Sequence, residues 1–185
     1  ISVYGIAKVG TKVPSVTLLL AGTAISSMAS ALISILVIFN RDQADSIVFW
    51  TMGSVAAARW GQVLYLLPVV LMGTIIIYFY AKDLNLMMAG DETAQNLGVE
   101  IDKTKKVLLV VSSIMIAFIV SSSGVIGFVG LIVPHSIRLI LGPDHRILIP
   151  FSALGGAVFM IFSDTIARTI LAPMEIPVGA ITALF

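Results

Sequence analysis

Long apolar runs separated by short polar clusters extend along the whole sequence. Three of these runs contain no Asp, Glu, Lys or Arg: residues 13–40, 60–81 and 107–137. A helix needs about 20 mainly apolar residues to cross a bilayer, so each run is long enough to do so. The pattern therefore predicts an all-α, polytopic membrane protein.

We predict five complete crossings and part of a sixth. In chain order they cover residues 16–39, 62–81, 107–122, 124–141 and 148–171, and the sixth begins at residue 178. The fourth crossing is expected to be short or broken because glycines punctuate it. The aromatic-rich residues 46–61 are typical of an interfacial helix and turn, and residues 1–15 are expected to end an earlier helix. Prolines 173 and 177 are expected to end the fifth crossing.

The composition excludes a water-exposed globule. Hydrophobic residues make up 58% of the 185 positions and charged residues only 11%, whereas a soluble domain carries about 25% charged residues. The absence of cysteine excludes disulfides and thiolate metal sites. His135 and His145 lack the i, i+4 spacing of a metal-binding pair, so we expect no metal site, and the net charge of +1 does not favour nucleic acid binding.

The positive charges predict the orientation in the membrane. Alternate crossings place eight Lys and Arg on one side and three on the other, and the richer side is cytoplasmic. The eight are Lys8, Lys12, Lys82, Lys103, Lys105, Lys106, Arg138 and Arg146, and the three are Arg41, Arg59 and Arg168. Residues 82–106 hold 9 of the 21 charges and are therefore expected to be a cytosolic segment.

The 82–106 segment is predicted to hold two short helices. Gly90 separates them, Asp91 is expected to cap the second, and Gly98 is expected to end it. Its apolar side chains are expected to form a surface that either binds a partner or folds back on the protein. They are Leu86, Met87, Met88 and Leu97.

Small residues mark two of the predicted crossings. Gly22, Ser26, Ser30 and Ser34 follow at i, i+4 spacing, which suits either close helix packing or the wall of a wide path. Glycines 124, 127 and 130, followed by Pro134, suit either a gating element or tight packing. The residues alone leave both choices open.

Asp164 and Arg168 form an acid-first i, i+4 pair on the fifth crossing. Ionisable residues near a membrane core are costly, which favours a functional role. The helix count also places Arg168 near the outer mouth, where a purely structural helix-end pair is an equal alternative.

A set of ordered motifs closely resembles one family of transporters. The motifs are LLLAG at 18–22, FWTMGS at 49–54, GDETA at 90–94, LGV at 97–99, GFVGLIVPH at 127–135, GPDHR at 142–146, DTIAR at 164–168 and EIPVG at 175–179. Together they resemble the FecCD-type permeases of ABC importers for iron-siderophores, haem and vitamin B12. The resemblance covers essentially the whole chain.

The resemblance implies a homodimeric type II importer permease of ten helices per chain in the cytoplasmic membrane. The chain looks like a fragment, because it starts without Met and ends within an apolar stretch; it would supply helices five to nine with the edges of four and ten. Residues 1–185 would form a single transmembrane domain with a cytosolic coupling segment at 82–106. Two ATPase subunits would bind below, and a binding protein or lipoprotein would dock above.

The resemblance also assigns roles to residues. The ATPase-coupling set is Leu84, Leu86, Met87, Gly90, Asp91, Glu92, Ala94, Leu97 and Gly98. Arg168 would receive an acidic residue of the binding protein. The pathway and gating set is Gly22, Ser26, Ser30, Gly124, Gly127, Gly130 and Pro134.

No phosphate-binding loop of the GxxxxGK[ST] type is present in the sequence, so this chain is expected to be a non-enzymatic transport subunit that binds no cofactor. ATP and Mg would be bound by the partner ATPase, and transport would proceed by alternating access. A secondary transporter using Asp164 as its ion site is the alternative. An intramembrane enzyme is disfavoured, because HExxH and GxSxG motifs are missing.

Overall fold

The computed structural model describes residues 15–40, 42, 44–170 and 176–185, and the regular structure of these residues is helical. The helices are α1 (Ser15–Phe39), α2 (Ala44–Met52), α3 (Trp60–Phe79), α4 (Ala81–Met87), α5 (Asp91–Asn96), α6 (Ile101–Ser123), α7 (Val129–Leu141), α8 (His145–Thr169) and α9 (Val178–Thr182). The all-α fold is as predicted. Lys8, Lys12, Arg41, Pro173 and Glu175 lie outside the described residues.

Four helices are long and apolar enough to cross a membrane. They are Leu19–Phe39, Trp60–Phe79, Ile101–Ser123 and His145–Thr169. Each falls on a run that the sequence predicted to cross, which confirms a multi-pass membrane protein. Pro68 lies inside α3 without ending it, as neighbouring structure in membrane helices allows.

The fourth predicted crossing is short, as expected. Helix α7 has 13 residues and is therefore about 20 Å long at 1.5 Å per residue, against a hydrocarbon thickness of about 30 Å. Residues 124–128 precede it without regular structure. Irregular backbone at membrane depth must be shielded by protein or line a cavity.

One predicted boundary is wrong by several residues. Helix α6 begins at Ile101 rather than 107, because its charged first turns continue the helix beyond the apolar run. Helix α8 ends at Thr169, two residues before the predicted end, and Pro173 lies outside the described residues. The sixth element begins at Val178 as predicted and is regular over the five residues of α9.

The chain divides into two compact units, residues 1–48 and 49–185. In the first unit, the hydroxyls of α1 are satisfied within the helix: Thr23 Oγ1 donates to Leu20 O at 3.0 Å and Ser34 Oγ to Ser30 O at 2.9 Å. In the second, α8 contacts α3, α4, α7 and α9. Its most buried cluster joins Ala167 of α8 to Val178 and Ile181 of α9.

Three glycines of the second unit allow separate backbone segments to cross closely, and we call Gly53, Gly124 and Gly179 the glycine crossing. A Cβ on Gly179 would collide with the carbonyl of Met52, and one on Gly53 would lie 2.5 Å from Val125 O. Gly53 and Gly124 also have a φ of 70°, which glycine adopts without steric cost. No larger residue fits these positions without a shift.

Candidate functional site

The 82–106 segment contains two short helices, and a glycine joint lies on each side of the second one. Gly90 has a φ of 108° and Gly98 one of 89°, in the left-handed region that favours glycine. Helix α5 lies between them and contacts both α4 and α6. Ala94 of α5 is fully buried, and Val99, three residues after the helix, is only 7% exposed, so small apolar side chains hold α5 against the protein. The two predicted glycine boundaries are confirmed.

The apolar side chains of this segment differ in their exposure. Leu97 is 61% exposed and Met88 52% exposed, as expected. Leu84, Leu86 and Met87 are half-buried, as expected if this part of the segment folds back on the protein. Helix α4 packs against α8, which covers part of its apolar side. The apolar surface available to a partner therefore centres on Met88 and Leu97.

Asp91 does not cap α5 as predicted. Gly90 occupies the N-cap position without a side-chain bond, and the Asp91 carboxylate instead forms an ion pair with Lys105 Nζ at 2.7 Å. Glu92, the next residue, is exposed. The ion pair connects the start of α5 to α6, and both side chains remain exposed, so it is a weak tie.

Asn85 connects this segment to the start of α8, and sequence reasoning missed it. Its Nδ2 donates to Asp144 Oδ1 at 2.6 Å, and its Oδ1 accepts from the His145 backbone N–H at 2.8 Å. His145 Nδ1 also lies 2.7 Å from the same Oδ1. Asparagine is a poor helix former, and its position inside a seven-residue helix was the available signal.

Asp144 completes this contact as the N-cap of α8. Its Oδ1 accepts from the backbone N–H of Arg146 at 2.9 Å. That hydrogen bond, followed by the one from the Asn85 amide, lowers the pKa of the Asp144 carboxyl below its ordinary value. Asp144 is therefore charged at neutral pH and accepts both bonds as a carboxylate.

A cavity of about 580 Å³ lies among α3, α6, α7 and α8. Its walls are mostly apolar, with Gln62, Ser122 and Ser123 among its polar residues. Gly124 and Gly130 line it, so two of the predicted gating glycines meet at one space. Gly127 and Pro134 are not among its lining residues, and Gly22, Ser26 and Ser30 belong to α1 in the other unit.

The predicted glycines differ in how closely they are packed. A Cβ on Gly124 would collide with the carbonyl of Trp50, whereas a Cβ on Gly22, Gly127 or Gly130 would meet nothing within 4 Å. Tight packing therefore accounts for Gly124 and not for the other three. The gating role of this set stays a prediction.

Asp164 and Arg168 form the predicted ion pair. Arg168 Nε lies 2.8 Å from Asp164 Oδ2, and the two side chains are 43% and 25% exposed, respectively. The adjacent residues Ser163 and Ala167 are buried, so the pair lies at the edge of the packed face of α8. The guanidinium is accessible enough to meet a second carboxylate.

Comparison with known proteins matches the whole chain to one family. The sequence model of the FecCD transport family covers residues 1–185. The chain is 45% identical over 183 residues to the cobalamin import system permease protein BtuC of Halobacterium salinarum, covering 99% of this chain and 49% of that protein. It is 45% identical over 168 residues to the hemin transport system permease protein HmuU of Yersinia pestis, covering 90% and 50%.

Two further similarities extend the comparison. The chain is 37% identical over 167 residues to the Fe(3+) dicitrate transport system permease protein FecC of Escherichia coli, covering 90% of this chain and 50% of that protein. It also matches a solved inward-facing conformation of a candidate metal-chelate type ABC transporter, with a TM-score of 0.86, 35% identity and coverage of 92% and 56%. The chain spans about half the length of the curated relatives it matches.

Proposed function

The chain belongs to the FecCD transport family, and from this membership we propose that it is part of the membrane-spanning permease of an ATP-driven metal-chelate importer. The substrate class is iron-siderophore, haem or cobalamin. The observation that carries the proposal is the match of 92% of the chain to one metal-chelate transporter fold at a TM-score of 0.86. The names of the three relatives given above specify cobalamin, hemin and Fe(3+) dicitrate.

We propose two ATPase subunits as partners on the 82–106 segment. The segment offers Met88 and Leu97 as exposed apolar contacts, surrounded by charged and polar side chains, which is the composition of a protein-binding surface. ATP and Mg are bound by those partners. This chain supplies no catalytic group, and its part in coupling is to receive force at α4 and α5.

Alternating access is the proposed mechanism. Two copies of the permease form the path in the cytoplasmic membrane, and an extracytoplasmic binding protein or lipoprotein delivers the substrate. Gly124 and Gly130 share the cavity among α3, α6, α7 and α8, so a change in the packing of these helices alters the space beside α7. The remaining residues of the pathway set keep their predicted roles in this proposal.

Uptake by the complete permease in proteoliposomes tests the function. We expect uptake of cyanocobalamin, haemin or ferric citrate, offered separately with the cognate binding protein, only when the ATPase pair and ATP are present. Uptake that follows an ion gradient without the ATPases would overturn the proposal in favour of the secondary transporter. Asp164 is paired with Arg168 at 2.8 Å, which leaves its carboxylate less available to an ion.

Replacing Arg168 with glutamate should weaken docking of the binding protein by about tenfold or more, because a charge pair that loses water at an interface is worth more than an exposed one. The loss should be larger at low salt than at high salt, since salt screens the repulsion. Docking is measured with the purified binding protein on permease in nanodiscs.

The matched control for this charge reversal is Asp164→Asn. It removes the helical partner of Arg168 and leaves the guanidinium in place, so docking should be retained. If Arg168→Glu lowers the melting temperature while docking is unchanged, the arginine is only the partner of Asp164 and the docking role is wrong.

A further inference from the structure

The amide of Asn85 completes the N-terminal cap of a helix that begins sixty residues later in the chain. The first backbone N–H groups of any α-helix have no acceptor within the helix. At α8 the Arg146 N–H is bonded by the Asp144 side chain, and the Ile147 N–H by the Asp144 carbonyl. The N–H of His145 is bonded by Asn85 Oδ1. One of the capping groups of α8 therefore comes from α4.

The orientation of this amide is fixed by its partners. A backbone N–H can only donate, so the Asn85 oxygen must face His145 and the NH₂ group must face the Asp144 carboxylate. The 2.7 Å contact with His145 Nδ1 then requires that ring nitrogen to carry a hydrogen. All three contacts thus have matched donors and acceptors, and the one to the charged Asp144 is of the stronger, charge-assisted kind.

Helix α4 is attached to two of the long helices. Helix α3 ends at Phe79 and α4 begins at Ala81, so α4 continues from α3 through a single residue. Asn85 adds a second attachment, to the first turn of the 25-residue helix α8. Two further side-chain ties of the segment, Lys105 to Asp91 and Lys103 to Glu100, are exposed ion pairs within the segment itself.

We propose that Asn85 is a positioning residue that latches α4 to the N-terminal end of α8, so that force applied to the 82–106 segment moves α8 together with α3. This inference rests on the proposed function. Helices α3 and α8 both contribute walls to the 580 Å³ cavity, and α7 packs on α8. A displacement of α4 therefore reaches two walls of the cavity directly and α7 through α8.

Hydrogen exchange of the complete permease tests the latch itself. In Asn85→Ala, the His145 amide loses its acceptor, so exchange in a peptide covering residues 142–148 should rise about threefold to tenfold. A peptide within α6 should exchange at the wild-type rate. Unchanged exchange at 142–148 would overturn the latch, since the amide would then be protected by something other than Asn85.

Transport efficiency tests the coupling role. In proteoliposomes that contain the permease, the ATPase pair and the binding protein, Asn85→Ala should lower uptake of cyanocobalamin, haemin or ferric citrate per ATP hydrolysed by about fivefold or more. Association of the ATPases should stay within about twofold of wild type. Asn85→Asp should lose efficiency similarly, because it keeps the acceptor for His145 but sets a carboxylate oxygen against Asp144.

The matched control is Asn40→Ala, which removes an asparagine bond to the Leu36 carbonyl at the end of α1 and should leave uptake per ATP unchanged. Wild-type efficiency in both Asn85 variants would overturn the coupling role. A proportional loss of ATPase association would also overturn it, since Asn85 would then only shape the docking surface. If the wild-type complex shows no ATP-dependent uptake, the proposed function is overturned instead. The two failures are distinguishable, because failure of the proposed function is measured on the wild type and failure of the coupling role on the Asn85 variants.

Discussion

Replacing Leu97 with glutamate is expected to reduce association of the permease with its ATPase partners by about thirtyfold or more. Leu97 is the most exposed large apolar side chain of the 82–106 segment, at 61%, and it directly precedes the glycine joint at Gly98. Truncating a hot-spot residue at the centre of an interface costs about 2 kcal/mol or more of binding free energy. A loss of that size corresponds to about thirtyfold in affinity. The measurement is the equilibrium association of purified ATPase with permease in nanodiscs.

Two substitutions separate lost apolar contact from added charge. Leu97→Gln removes the apolar contact without a charge and should cost most of the same affinity. Gln95→Glu places a charge on an exposed residue of α5, two positions before Leu97, and should have a small effect. If Leu97→Glu associates with the ATPase at wild-type affinity, the exposed apolar surface is not the docking site.

Replacing Gly179 with alanine is expected to destabilise the protein strongly. The added Cβ would collide with the Met52 carbonyl, which belongs to backbone and cannot turn aside as a side chain can. Overpacking of this kind costs about 1–3 kcal/mol and occasionally more. The melting temperature of the purified permease in detergent should fall, and Gly124→Ala should act in the same direction because of the Trp50 carbonyl.

The control for this prediction is Gly156→Ala. Gly156 lies inside α8 with nothing within 4 Å of an added Cβ, and alanine is favoured over glycine in a helix interior by about 0.5–1 kcal/mol. The control should therefore melt at or slightly above the wild-type temperature. If Gly179→Ala and Gly124→Ala melt at the same temperature as Gly156→Ala, the glycine crossing tolerates side chains and the prediction is wrong.

The crossings could be predicted from the sequence because a membrane imposes one simple requirement, a long uncharged run. The same requirement explains the wrong start of α6. Asp102 and Lys103 lie in its first turn, before the apolar run begins. The start of the apolar run therefore marks the edge of the membrane and not the start of the helix. The 82–106 segment was located by its charges for the same reason.

The contacts that join distant parts of the chain could not be predicted. Asn85 is a single asparagine among ordinary helix residues, and its partners lie sixty residues later. The glycine crossing joins Gly53, Gly124 and Gly179, whose close approach depends on how three segments pack. The partial burial of Leu86 also depends on packing, because α4 contacts the distant helix α8.

The shared cap of α8 has a consequence for the order in which the protein is assembled. Asn85 leaves the ribosome before His145, and sixty residues take about 3–12 s to synthesise at 5–20 residues per second. The acceptor for the first amide of α8 is thus already present when that helix emerges.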